Sequence, residues 1–393
     1  MAMTKLSPTD LAGFQAIFKA LDDWFKIEMR KLYGGQLSAP GKGLLMGFPV
    51  WGQKYFDRMN QYFTASILAE QNLRALKDRC RVVLFTSEAY EIALYTSMRA
   101  LMPLGIDLQV LSIPNAVMEE ESKNVMNKYW ILGTAQNLMI QMAGWAGMAF
   151  HMAQPDHIFN PEYFPNLFRL GEKHQAICQL GITADEATAA PEIETWRQSD
   201  GSLAVPSRSL GDIGWRHLHK QMLPGLMNGP KSIPGYPPTF WTGWQGHEAL
   251  HLYSCHMNPA WLSPRLCALA PTRIPATVDS ELPAFIPGDF YVPTIDDNLT
   301  FLEVSDGSKW DLPKSPTFEA FSDQAWSTVK FDHAYIPYFE CVSKIPIHPQ
   351  GTGMAAADIA AEHSGLLERL IADCPVNSAP YRFCRTLDAS PRK

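Results

Sequence analysis

Four groups of residues could carry chemistry. His247, Glu248 and His251, in Gly246-His-Glu-Ala-Leu-His251, match H-E-x-x-H. On a helix that spacing puts both histidines on one face as zinc ligands and leaves Glu248 to polarise a zinc-bound water. A third ligand is required, and the longer form of the motif fails: Ser254 and Met257 stand where its Gly and third His belong, and His256 is one residue out of register. Glu281 is the remaining candidate for that place, and structural roles for His247 and His251 are the competing reading.

Asp156 directly follows an apolar run and is flanked by Pro155 and His157. A carboxylate at such an edge can hold a divalent cation, which in turn neutralises a diphosphate leaving group. The plainer alternative is a cap for a helix beginning near Pro161. Asp279 and Glu281 are one residue apart, so in an extended strand they share a face and could share a cation; solvated surface is the other reading. His256 lies in an apolar-flanked segment, where a histidine serves either as a core residue or as a ligand. No P-loop, G-x-G-x-x-G or strict Asp-x-Asp occurs.

These residues need elements to hold them. Leu11, Phe14, Phe18, Leu21, Phe25 and Met29 recur at steps of three and four, which predicts a helix over 8–33, stopped by Gly34 and Gly35 and read as an appendage. From Gly43 strands and helices alternate: strand 44–49, helix 53–76, strand 81–86, helix 88–101, strand 107–113, helix 118–142, strand 147–152. That alternation predicts an α/β sheet with parallel strands. Ligands of such sheets sit beyond the strands' carboxyl ends, so the loops at 49–52, 86–88 and 154–157 become candidate binding loops. A helix at 161–173 and a strand at 176–182 follow. Residues 183–245 read as irregular except for one helix at 209–223, residues 277–304 as short β runs, and 355–372 as an amphipathic helix.

The 393 residues are 46% hydrophobic and 19% charged, which supports one large core or two modest ones and excludes a disordered or collagen-like chain. With 33 Lys and Arg against 40 Asp and Glu, the net charge is −7. No broad phosphate-binding surface, and hence no nucleic-acid partner, is expected. Seven scattered cysteines without a C-x-x-C pair suit reduced thiols. Asp10, Asp22 and Asp23 near the start, without an apolar leader, point to a cytoplasmic protein. Gln136, Asn137 and Gln141 interrupt the longest apolar stretch, so no membrane span is expected.

Several segments together resemble a bacterial glycosyltransferase-like family, the nucleotide-diphospho-sugar transferases of GT-A type. They are Phe48-Pro-Val-Trp-Gly52 with Tyr55 and Phe56; Ser66 to Ala69 with Asn72 and Leu73; Leu84-Phe-Thr86; Gln154-Pro-Asp156; Glu248-Ala-Leu250; Cys255-His256; and Thr277-Val-Asp-Ser280. The resemblance covers roughly residues 43–310. It implies a Rossmann-type mixed sheet with helices on both faces, forming a catalytic domain over 43–310. Helical extensions would lie at 1–42 and 311–393, packed on that domain or making a homo-oligomer.

The resemblance also implies a nucleotide-sugar donor held at Pro49, Trp51, Gly52 and Thr86, and an acceptor of unidentified kind. Asp156 would occupy the metal-binding acidic position for Mn or Mg, with Asp279 as a further ligand and His256 as a ligand to the cation or the diphosphate. The family motif has two acids, whereas His157 and Ile158 follow a single Asp here. If the enzyme inverts, Glu248 would deprotonate the acceptor hydroxyl as the anomeric carbon is attacked. Phe240, Trp241, Trp244 and Trp261 could stack on a sugar or another flat acceptor group, and core packing explains them equally well. The rival readings are a zinc-dependent hydrolase built on His247, Glu248 and His251, and a non-catalytic binding protein of the same fold.

Overall fold

A computed structural model of the chain describes residues 8–33, 43–121, 125–179, 181–220, 239–243, 250–254, 258–269, 291, 293, 297–307 and 346–347. In chain order these form α1 (Pro8–Tyr33), β1 (Leu44–Pro49), α2 (Gln53–Arg58), a π-helical segment (Met59–Thr64), α3 (Ala65–Ile67), α4 (Glu70–Leu76), β2 (Cys80–Ser87), α5 (Glu88–Met98), a 3-10 segment (Arg99–Leu104) and β3 (Ile106–Ile113). Next come α6 (Asn115–Glu121), α7 (Val125–Ala146), β4 (Ala149–Met152), β5 (His157–Phe159), α8 (Tyr163–Gly171), β6 (Ala176–Gln179), β7 (Ile182–Asp185), α9 (Glu186–Glu194) and α10 (Ser207–Arg216). Last are β8 (Thr239–Gly243), β9 (Leu250–Ser254), β10 (Asn258–Leu262), α11 (Pro264–Leu269), β11 (Phe301–Ser305) and β12 (Pro346–Ile347).

The main sheet has the order β3-β2-β1-β4-β10-β6. Its first four strands are parallel and β10 runs antiparallel to both neighbours. β1 is buried along its whole length because both faces are covered, as its unbroken apolar run suggests. Leu44, Met46 and Phe48 point to one face, into a core with Met59, Phe63, Leu94, Phe164 and Leu167. Leu45 points to the other, where Val83, Phe85, Met139 and Leu138 join Leu21, Phe25 and Met29 of α1. The fold is thus mixed α/β with helices on both faces, and α1 shares the core of the second face. Each fully buried aliphatic or aromatic side chain contributes roughly 1.5–3 kcal/mol by leaving water.

α7 lies directly on β1 because Gly47 has no side chain. A Cβ there would come within 2.8 Å of Met139 Sδ. A second sheet, β5-β11-β7, packs with α9 and α10 around Ile158, Ile182, Leu210, Ile213, Leu302 and Val304. A third sheet has the order β12-β9-β8. No helix among the described residues is long and apolar enough to cross a membrane.

Three expectations need correction. The single helix over 53–76 is broken by the π-helical segment and again at Leu68 and Ala69. The second break has a clear cause in Asn72. Its amide donates to the carbonyls of Ser66 at 3.1 Å and Asn160 at 2.9 Å, while its oxygen accepts from the backbone N–H of Phe164 at 3.1 Å. The strand over 176–182 is two strands in different sheets, β6 and β7. The region after 183 is more regular than expected: Asp185 caps α9 by accepting from the Ala187 N–H at 3.0 Å, even though Pro191 lies inside that helix. The helix expected at 209–223 is α10, Ser207–Arg216, and the one expected at 355–372 lies outside the described residues.

Candidate functional site

β1 and β4 are parallel neighbours, with Gly47 opposite Met152. From β1 the chain proceeds to β2 and β3 on one side, and after β4 the sheet continues on the other. The strand order therefore reverses at this pair, and two loops leave its carboxyl edge side by side. Such a crevice is where open α/β sheets hold ligands. One loop is Val50, Trp51 and Gly52; the other runs from Ala153 to Asp156.

Gly52 enters α2 at φ +87°, a left-handed conformation that glycine adopts without steric cost. The turn starts α2 immediately, so Arg58 reaches the neighbouring loop and Lys54 the end of β11. Arg58 Nη1 lies 3.7 Å from Asp156 Oδ2. On its other side Arg58 Nε donates to Glu186 Oε2 at 3.1 Å, and Nη2 donates to the same carboxylate. The side chains of Arg58, Asp156 and Glu186 are 3%, 10% and 27% exposed. Tyr62 donates to Glu186 Oε1 at 3.4 Å, and Lys54 to Asp306 Oδ2 at 3.0 Å. Basic and phenolic groups of one helical stretch thus face carboxylates brought by α9 and by the end of β11.

Burial raises the Asp156 carboxyl to about 6, with the Arg58 guanidinium opposing the rise. The same burial, reinforced by Asp156, raises the Tyr55 phenol, so that it stays protonated at neutral pH. Asp156 is no helix cap: it precedes β5, and α8 begins only at Tyr163. His157 turns away into an aromatic cluster, its ring 4.6 Å from that of Phe301.

The other expected residues divide as follows. Pro49 ends β1 opposite Phe85, and Thr86 lies next on β2, opposite Ser112. Thr86 is fully buried, and its Oγ1 has no hydrogen-bond partner among the described residues. Trp51 is half-buried against the second-face core. Trp261 packs edge-on against Phe168 with centroids 6.0 Å apart, and is only 9% exposed, so it is core rather than sugar platform. His247, Glu248, Trp244, His256, Asp279 and Glu281 lie outside the described residues. His251 stands on β9, paired with Thr242 and Pro346, so the helical spacing required by H-E-x-x-H is absent at its second histidine. Alternating apolar residues Leu250 and Leu252 favour the hairpin with β8 there.

No group of three or more His, Cys, Asp and Glu suited to a metal ion occurs among the described residues. Asp156 is faced by a guanidinium, a fixed positive charge where a divalent ion would bring a second one. The described donor set therefore does not fit Mn or Mg. Arg58 and Glu186 were invisible as site residues in the sequence. The only local signal is the i, i+4 basic pair Lys54 and Arg58 just after the Gly52 turn.

No family model matches the chain, and no curated protein matches it. Among solved structures, it is similar to an NH3-dependent NAD synthetase from Campylobacter jejuni, at 12% identity over 35% of this chain and 55% of that one, TM-score 0.21. It is similar to S. aureus TarS at 12% identity over 85% and 44%, TM-score 0.32. It is similar to mouse xyloside xylosyltransferase 1 at 11% identity over 40% and 58%, TM-score 0.24. The chain spans about half the length of each of these, and likenesses this slight carry no argument about activity.

Proposed function

We propose that the chain is an enzyme that transfers a sugar from a nucleoside-diphosphate donor to an acceptor hydroxyl, with the donor seated on the lip between β1 and β4. The observation that carries this reading is the placement of Asp156 and Gly52 on adjacent loops at the point where the strand order reverses. The sequence resemblance supplies the reaction class. On this reading the catalytic unit runs over residues 43–310.

Trp51 and Gly52, both partly exposed, face the nucleotide in this reading, while Pro49 and the fully buried Thr86 shape the lip from within the sheet. An ionised carboxylate offers only acceptors, so Asp156 takes hydrogen bonds from donor hydroxyls. Glu248 acts as the base. It removes the proton from the acceptor hydroxyl as that oxygen bonds to the anomeric carbon, and the bond from that carbon to the diphosphate breaks, releasing the nucleoside diphosphate. No step here passes through a metal ion.

A thermal-shift screen of the full chain against UDP, GDP, CDP and ADP, with and without EDTA, tests the donor site. A ligand at 100 times its Kd stabilises the folded state by about 2.7 kcal/mol, so a saturable rise of a few degrees is expected with one of them. A flat response to all four sinks the proposal.

A further inference from the structure

Arg58 is an unusual group to find at this lip. Its side chain is 3% exposed, less than that of either carboxylate it touches, and sits where α2 gives way to the π-helical segment Met59–Thr64. Such helical irregularities concentrate at functional sites. Nε and Nη2 are both spent on Glu186, which leaves Nη1 on the Asp156 side. A planar fork held at one edge has its other edge fixed in direction, which a lysine ammonium cannot reproduce.

We propose that Arg58, gripped by Glu186, is a positioning residue that keeps the carboxylate of Asp156 charged at the lip where the strand order reverses. Its role in donor binding rests on the reading of that lip given above; its effect on Asp156 does not. The charged and titratable groups acting on Asp156 and its neighbourhood are Lys54, Tyr55 and Arg58 from α2, Glu186 from α9, and Glu303 of β11 through Tyr55. Lys54 is engaged by Asp306. Arg58 is therefore the cation whose removal leaves Asp156 and Glu186 facing each other with no charge between them.

The test is a carboxyl 13C titration of the full chain with aspartate-selective labelling, the Asp156 resonance being assigned with Asp156→Asn. Arg58→Gln should move the Asp156 midpoint up by about one pH unit or more. An unmoved midpoint overturns the proposal. Should Arg58→Gln fail to fold, Arg58→Lys is read instead: a point charge cannot grip Glu186 with two nitrogens and still face Asp156, so the midpoint should rise by a smaller amount, and no rise overturns the proposal. The second readout is the pH profile of UDP affinity, whose midpoint should move up with the carboxyl titration in the variant. Equal weakening at every pH marks a merely structural role and also overturns it. If the unaltered chain binds no nucleoside diphosphate at any pH, the donor-site reading fails, while the titration still decides what Arg58 does.

Discussion

Arg58 Nη1 stands 3.7 Å from Asp156 Oδ2, a contact between the first helix after β1 and the loop after β4. With Glu186 on the far side of the same guanidinium, one buried cation serves two carboxylates from different sheets' borders.

Arg58→Ala leaves two largely buried carboxylates facing each other without a cation. Removing one partner of a buried ion pair costs about 3–5 kcal/mol, because the remaining charge is stranded. Urea denaturation at neutral pH measures it, and a loss below about 1 kcal/mol would mean that the cluster contributes little.

Asp156 gives a pH signature of definite sign. Its folded-state value of about 6 lies above the ordinary 3.8, so the native state holds the proton more tightly than the unfolded chain does. Its contribution is fully present below the unfolded value and is lost as pH rises from about 4 through about 6. The stability of the parent protein minus that of Asp156→Asn should therefore fall across that window and level off above it. A difference that stays constant with pH, measured by denaturation at several pH values, contradicts the raised carboxyl.

Gly47→Ala tests the seating of α7 on the sheet. The new Cβ meets Met139 Sδ at 2.8 Å and Met139 Cβ at 3.3 Å, and Cβ cannot rotate away. Overpacking of this kind costs about 1–3 kcal/mol, readable as a lowered melting temperature. Gly47→Ala combined with Met139→Ala should cost less than the two single changes summed, because the clash is absent from the double variant.

Asn72→Ala strands the N–H of Phe164 and removes one of two donors from the carbonyls of Ser66 and Asn160, which keep the backbone N–H of Ala69 at 3.3 Å and of Tyr163 at 3.0 Å. Leaving the one buried N–H of Phe164 unsatisfied costs about 1–3 kcal/mol, a sizeable share of a typical total stability. Hydrogen exchange should show the Phe164 amide losing protection first.

For the proposed transfer, Glu248→Gln should lower turnover by about 10²–10⁴-fold, the usual worth of a general base, without shifting the melting temperature. Asp156→Asn should weaken donor binding. Full turnover in both variants would remove these two assignments.

The sequence by itself determined the elements whose cause is local. Strands 44–49, 81–86 and 107–113 reappear within one residue as β1, β2 and β3: β1 is apolar throughout because both its faces are covered, whereas the edge strand β3 carries Asp107 at an exposed position between buried apolar residues. α1 follows from its three-and-four spacing, and the loop of Asp156 from the apolar run before it. Tertiary structure decided the rest. Asn72 breaks a helix only because Asn160 and Phe164 are folded against it, and 176–182 divides between sheets only because β10 and β11 arrive to pair with its two halves. The site's central cation carries no motif at all. Arg58 becomes distinctive when the strand order brings Asp156 and Glu186 to either side of it. Periodicity records what each residue's near neighbours require, whereas a buried charge is explained only by the distant partners that compensate it.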